Sequence, residues 1–421
     1  MAAFLAVFLA ATNEECSYET IRTATAKDTC KFKPSMAPLT SAAASTSEQS
    51  THHSNFVRSS SIENGWLVGG PFVGTYTSQL QRYIDSSYAP VTSKNYSEIS
   101  LVNASVLNTL RLSGAYYCDT PLRVPSMFVL NAAGATVMPA LNLSLVNVSR
   151  WSAMVMLDHV TLSAVLGGTF DASSLPPPPN ASHGYQAISI VGYPGKNAVR
   201  HVRALSNNSE AIIGINQSPH AEVAFSDVGG SSSMLHTRCI WALATSAALI
   251  HHNHVRNCTK HSLDLDAYTH TSAAYSNLLV DHGEEGIFVE ESASGNFIFN
   301  NTIRGAQKNG IGVYSNVVGP VTMNMIIGNT IIGNKHGMSA GAVGHDPKKQ
   351  SLKNIFASNY LEGNGDGGHA GGGQVETRHG PTDSVHGDFW TSNEIVGDGF
   401  PYRQPLPADG EGVVIFEPEH T

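Results

Sequence analysis

Between residues 238 and 364 the chain is a succession of short segments with apolar residues at alternate positions, each closed by Asn, Gly, Ser or Asp. Such alternation marks strands with one buried face. Five segments share one pattern: NHVRN from Asn253, NLLVD from Asn277, NTIRG from Asn301, NTIIG from Asn329 and NYLEG from Asn359, at steps of 24, 24, 28 and 30. A second series keeps the same phase: HSLDLD from His261, EGIFVE from Glu285, NGIGVY from Asn309 and HGMSAG from His336, at steps of 24, 24 and 27. Two strand types that hold phase while the loops between them lengthen predict an all-β parallel solenoid with coils of about 24–30 residues.

In such a stack neighbouring strands lie about 4.8 Å apart and equivalent positions form ladders. Leu263, Ile287, Ile311 and Met338 are expected to make one interior stack, and Leu265, Val289, Val313 and Ala340 the next. The recurrent asparagines suit an internal amide ladder at a bend. With the leucines inside, Asp264 and Asp266 point outward. The 24-residue step sets Phe288 beside Asp264 and Glu290 beside Asp266, with Gly312 and Tyr314 on the following coil and Ile240 and Ala242 on the preceding one. Three carboxylates within about 5–7 Å repel when all are ionised, so one carries a raised pKa or a cation sits between them. Ca²⁺ held by Asp264, Asp266 and Glu290 is the candidate ion, and no other cofactor is called for. The same separations bracket the acid–base geometries of glycoside hydrolysis.

Over residues 238–364 the repeat resembles the right-handed parallel β-helix of pectin-lyase-like, carbohydrate-active proteins, among them pectin-degrading enzymes, polysaccharide lyases and alginate epimerases. The likeness is to the repeat. LDLDAY has the two acids of the epimerase DPHD motif but neither its Pro nor its His. The resemblance implies a right-handed β-helix and a polysaccharide partner, and leaves the reaction open between hydrolysis and lyase or epimerase chemistry. Asp264, Asp266 and Glu290 are then the candidate catalytic centre. His270 and His282, just beyond strand ends, are candidate bases. Phe288, Tyr314 and Tyr268 are candidate sugar-stacking rings, and Lys260, Arg304 and Lys308 candidate partners for sugar carboxylates. The alternative reading is a non-catalytic glycan-binding or adhesive scaffold.

Composition adds bounds. Of the 421 residues only 14% are charged and the formal net charge is −9, which argues against nucleic acid as partner. Residues 1–11 have the apolar length of a signal peptide, too short for a membrane span. Residues 12–65 form a Ser/Thr-rich leader, and 66–421 the solenoid. Nine Asn-X-Ser/Thr sequons and five cysteines without a CxxC fit a secreted glycoprotein, with Cys16–Cys30 and Cys239–Cys258 as candidate disulfides and Cys118 left over. The HHNH run at residues 251–254 matches no compact zinc motif, and GNGDGG at 363–368 lacks the helix a dinucleotide fingerprint needs.

Overall fold

The computed structural model describes residues 60–63, 66–69, 75–87, 108–141, 143, 149–175, 184–230, 237–315, 317, 319–342, 351–365, 373–378, 388–396 and 414–415. The candidate signal peptide, Cys16, Cys30, the Pro176–Pro179 run and most of the leader lie outside them. Ser60–Glu63, within the expected leader, forms a strand paired antiparallel with Trp66–Gly69.

The described chain winds as a right-handed parallel β-helix, the commonest hand for parallel connections. Sheet I holds twelve strands, from Asn108–Arg111 to Val414–Ile415. Sheet II also holds twelve, from Thr75–Tyr76 to Glu394–Val396, and sheet III ten, from Leu122–Arg123 to Gly373–Arg378. One coil gives one strand to each sheet in turn, as Ala273–Tyr275, Leu278–His282 and Ile287–Val289 do. The predicted interior stacks are present. Leu263, Ile287, Ile311 and Met338 are in register, as are Leu265, Val289, Val313 and Ala340, and all are at most 1% exposed. A helix at Thr77–Ser87 precedes the regular coils and buries Leu80 and Ile84. No helix among the described residues is long and apolar enough to cross a membrane.

The turns between sheets obey one rule. A residue in the left-handed region is followed by a buried residue, which, where it is Asn, bonds to its counterparts above and below. His252, Ser276, Asn300 and Ser358, with φ of 54°, 53°, 53° and 53°, precede Asn253, Asn277, Asn301 and Asn359. The backbone N–H and Nδ2 of Asn277 both donate to Asn301 Oδ1 at 3.1 and 2.9 Å, and those of Asn301 to Asn329 Oδ1 at 3.0 and 2.9 Å. The second Nδ2 proton of Asn301 goes to Ala274 O at 2.9 Å. Each amide therefore uses both protons and both lone pairs, which is what a closed interior requires of it.

Two further ladders flank this one five residues to either side. Asn296, Asn324, Asn354 and Asp388 form the ladder between sheets III and I. Cys258, His282, Ala306, Asn334 and Asn364 occupy the corner between sheets II and III. Sheets I and II are thus clamped between corners at constant spacing, while the run from the third corner to the next first corner varies. It is 14 residues for Cys258 to Ser272 and for His282 to Asn296, then 18 to Asn324, 20 to Asn354 and 24 to Asp388. All variation in coil length across these turns falls around sheet III. Cys239 and Cys258 are joined by a disulfide between a sheet III strand and a corner, and Cys118 is a buried free thiol.

Removing one ladder amide strands several buried donors at once. Asn301→Ala is expected to cost about 2–4 kcal/mol. Asn300→Ala, which spares the ladder and strains only a left-handed residue, is expected to cost about 1 kcal/mol. Denaturant midpoints of the two variants test this; equal losses would refute the ladder as the dominant contribution.

Candidate functional site

The outer face of sheet III carries a column of side chains in register: Ser189, Gly214, Trp241, Asp264, Phe288, Gly312 and Ser339. Asp264 beside Phe288 is as expected, but the coil before differs. The step from Ile240 to Leu263 is 23 residues, so Ile240 and Ala242 stack inside on the leucines. Trp241 lies next to Asp264 and Leu243 next to Asp266. The border expected to be aliphatic is therefore an indole, and its Nε1–H donates to Asp266 Oδ2 at 2.9 Å.

The acids point outward from the solenoid, yet they are not a wet surface. Asp264 is 0% exposed, Glu290 4% and Asp266 7%. Two glycines explain how they are covered. A Cβ at Gly214 would fall 2.3 Å from Gln186 Oε1 and 2.9 Å from Trp151 Cζ3, so its absence lets both side chains lie across the sheet. A Cβ at Gly312 would fall 3.0 Å from Tyr314 Cε1, 3.1 Å from Glu285 Cγ and 3.3 Å from Phe288 Cδ2. Trp151 stacks on Trp241 at 4.9 Å on one side of the acids, and Phe288 contacts Tyr314 at 4.6 Å on the other.

Arg238 is the electrostatic centre of this layer. Its Nε donates to Asp264 Oδ2, its Nη2 lies 3.9 Å from Glu290 Oε1 and its Nη1 3.7 Å from Glu210 Oε1. Its guanidinium also sits over the Trp241 ring at 4.5 Å. Burial, then the charge of Asp264, pushes Asp266 up to about 6. Burial with the charges of Asp264 and Asp266 raises Glu290 well above the ordinary carboxylate range, against the nearby Lys260 and Arg238. A second group adjoins the first. His261 Nδ1 lies 2.9 Å from Glu285 Oε2, and Glu285 Oε1 accepts hydrogen bonds from the Tyr314 hydroxyl at 2.5 Å and Asn309 Nδ2 at 3.1 Å.

The other expected site residues divide. Phe288 and Tyr314, 2% and 3% exposed, are structural cover and present no open face to a sugar. Tyr268 is 58% exposed at the bend after the Leu263–Asp266 strand. His270 is exposed at the same bend and contacts Thr271 Oγ1, a neighbour in the chain rather than one of the acids. His282 is no surface base: it fills the corner position that Asn334 and Asn364 hold on later coils, bonded to Ser262. Its place five residues after Asn277, as Asn334 follows Asn329, was a readable sign of that duty. Arg304 lies on sheet II, away from the acids, and Lys308 is paired with Glu284 at 3.1 Å. Arg238, Trp241, Trp151 and Glu210 were not anticipated. Arg238 precedes Ile240 as His261 precedes Leu263, so it extends the His261–Glu285–Asn309–His336 column, and one more repeat upstream would have revealed it. A separate cleft of about 660 Å³ opens on sheet II, lined by Arg203, Asn207, Arg256, Asn257 and Asp281, with no comparable cluster of acids.

A family model described as a right handed beta helix region matches residues 181–320. No curated protein matches in sequence. Among solved structures, the polygalacturonase of Erwinia carotovora ssp. carotovora is similar at 12% identity and a TM-score of 0.56, over 82% of this chain and 98% of that one. The Dettilon tailspike protein is similar at 13% identity and 0.53, over 73% of this chain; the alignment spans only 58% of the tailspike. Endo-xylogalacturonan hydrolase from Aspergillus tubingensis is similar at 10% identity and 0.50, over 77% and 92%. At these identities the likeness establishes the fold.

Both the ion pair and the buried histidine can be tested through stability. Arg238→Ala leaves Asp264 enclosed without its partner and is expected to cost about 3–5 kcal/mol in guanidinium unfolding, whereas an unchanged midpoint would show the pair to be inert. His282 is held neutral, first by burial, with its pKa lowered from 6.5 to about 3. The folded state therefore loses stability as pH falls below 6.5, by about 1.4 kcal/mol per unit until about pH 3. His282→Asn, the residue native to this corner on other coils, is expected to fold at neutral pH and lack that acid-limb loss. Parallel stability–pH curves for the two proteins would disprove the assignment.

Proposed function

We propose that the outer face of sheet III binds an extracellular polysaccharide and hydrolyses its glycosidic bonds. The observation that carries this reading is the Arg238-anchored group of Asp264, Asp266 and Glu290 on the sheet around which coil length varies. Constant corners build the scaffold, and the run around sheet III, which lengthens on the coils after the acids, is where the fold admits change. Asp266 and Glu290 keep an edge toward solvent, while Asp264 is closed beneath them. Asp266 and Glu290 stand at equivalent positions of adjacent coils, whose backbones are about 4.8 Å apart, a spacing compatible with two carboxyls flanking one glycosidic bond. Asp266, steadied by Trp241, is the proton-transferring group in this reading, and its neighbours set the field around it. Trp151, half-buried at the edge of the layer, offers a ring for sugar stacking.

Similarity to a polygalacturonase and a xylogalacturonan hydrolase supports a uronate-bearing glycan as substrate class. Lys260 at the margin is the cation that would meet its carboxylates, beside Arg150, which is paired with Glu210 at 3.1 Å. The Cys239–Cys258 disulfide supports secretion into an oxidising compartment. A second reading, a glycan-binding scaffold without turnover, is favoured by the near-complete burial of the same acids.

The two readings separate in a depolymerisation screen on neutral and uronic polysaccharides, following reducing ends and unsaturated products. Hydrolysis is expected on at least one uronate polymer, with Asp266→Asn lowering kcat by about 100-fold or more. Turnover that survives this change within a few-fold moves the chemistry elsewhere. Retained glycan binding with no turnover on any polymer selects the scaffold.

A further inference from the structure

We propose that His261, Asp264 and Glu290 form a site for one divalent cation of the zinc class, with an imidazole nitrogen among its ligands. One donor atom from each residue lies within 4.8 Å of the other two. Three atoms so placed have a common centre no more than about 2.8 Å from each, against bonds of about 2.0–2.2 Å for such an ion. The three side chains are enclosed, at 1%, 0% and 4% exposure.

Two observations set this group apart from a closed ion-pair network. Arg238 engages Asp264 Oδ2 only, and Asp264 Oδ1, fully buried, has no hydrogen-bond partner. Neither nitrogen of His261 makes an aligned hydrogen bond, although Nδ1 approaches Glu285 Oε2 to 2.9 Å and Nε2 approaches Glu284 Oε2 to 3.7 Å. Burial leaves such atoms without the hydrogen bonds water would give, and one ion between them satisfies Asp264 Oδ1 and one nitrogen of His261 together. A carboxylate beyond a ligating imidazole is the arrangement that orients it and fixes its tautomer. Glu285, pinned by Tyr314 and Asn309, stands in that place and leaves the other ring nitrogen to ligate.

The donor set also selects the ion. Ca²⁺ takes six to eight oxygens, whereas one imidazole and two carboxylates leaving an open position suit zinc or its congeners. Asp266, expected from sequence to share a calcium ion, is committed elsewhere: Oδ2 accepts from Trp241 and Oδ1 from the Ala267 N–H at 2.6 Å. What the ion does for a sugar rests on the hydrolase reading; its binding does not.

The test is calorimetric titration of the chelator-treated full chain with Zn²⁺, Co²⁺ and Ca²⁺, with the visible absorption of the Co²⁺ form as a second readout. One equivalent of Zn²⁺ or Co²⁺ is expected, with Ca²⁺ unable to displace it. His261→Asn and Glu290→Gln should each weaken binding at least ~10-fold and alter the Co²⁺ spectrum. His159→Asn, at an exposed histidine far along the column, should change neither. Absence of saturable Zn²⁺ or Co²⁺ binding overturns the proposal, as does unchanged affinity in Glu290→Gln, which decides the matter should His261→Asn fail to fold. Stoichiometric binding with no turnover in any metal form would sink the hydrolase reading and leave the ion site standing.

Discussion

The amide ladder at the corners is the constraint on which this molecule depends. A parallel coil must turn three times, and each turn places a residue in the left-handed region at a cost of about 1 kcal/mol or more when it is not glycine. Ser276, His252 and Asn300 are such residues. The cost is met by the next residue at the corner, a buried Asn whose four hydrogen-bonding capacities are filled by the coils above and below. Because the bonds run between coils, the ladder also sets register. A one-residue slip would break every rung at once and drive Leu263 and its stack outward.

Constant corner spacing has a consequence for where chemistry can sit. Sheets I and II are confined between ladders five residues apart and have no room to vary. Sheet III lies between corners whose separation varies, so insertions collect beside it and long side chains can be laid over its outer face. Gly214 and Gly312 use that freedom, admitting Trp151 and Tyr314 across the strands and closing the acids from water. Low local dielectric then sharpens every charge in the layer. Burial, with the charges of neighbouring carboxylates, raises Asp266 and Glu290, and Arg238 is drawn toward three carboxylates rather than one.

The scaffold was legible because it is periodic. The Asn steps and the Leu263–Ile287–Ile311–Met338 stack follow from spacing alone, since every coil repeats the same physical problem. The site was legible in part. That Asp264 and Asp266 leave the core follows from strand alternation, and Phe288 beside Asp264 follows from the 24-residue step. One coil of 23 residues was enough to exchange Trp241 for Ile240 as the neighbour of Asp264. Burial was beyond reach for another reason: the side chains that cover the acids come from Trp151 and Gln186, outside the clear repeat, and enter through missing Cβ atoms. His282 misled because a histidine after a strand resembles a base, whereas its offset from Asn277 marks a corner.

The cost of the acid layer bears on why it exists. Replacing a buried ionic network by apolar groups of similar size is often neutral or stabilising. The column itself shows that apolar residues fit there, since Trp241 stands directly before Asp264 and Phe288 directly after it. An apolar residue at position 264 would have continued a column of rings and released Arg238 to solvent. Instead the chain encloses Asp264, Asp266 and Glu290 around one guanidinium and leaves an oxygen of Asp264 and the His261 ring without aligned partners. Stability does not require that arrangement, whereas the asparagine ladders at the corners fill the hydrogen-bonding capacity of their amides. Polar groups left incomplete at the centre of such a layer point to a ligand that completes them.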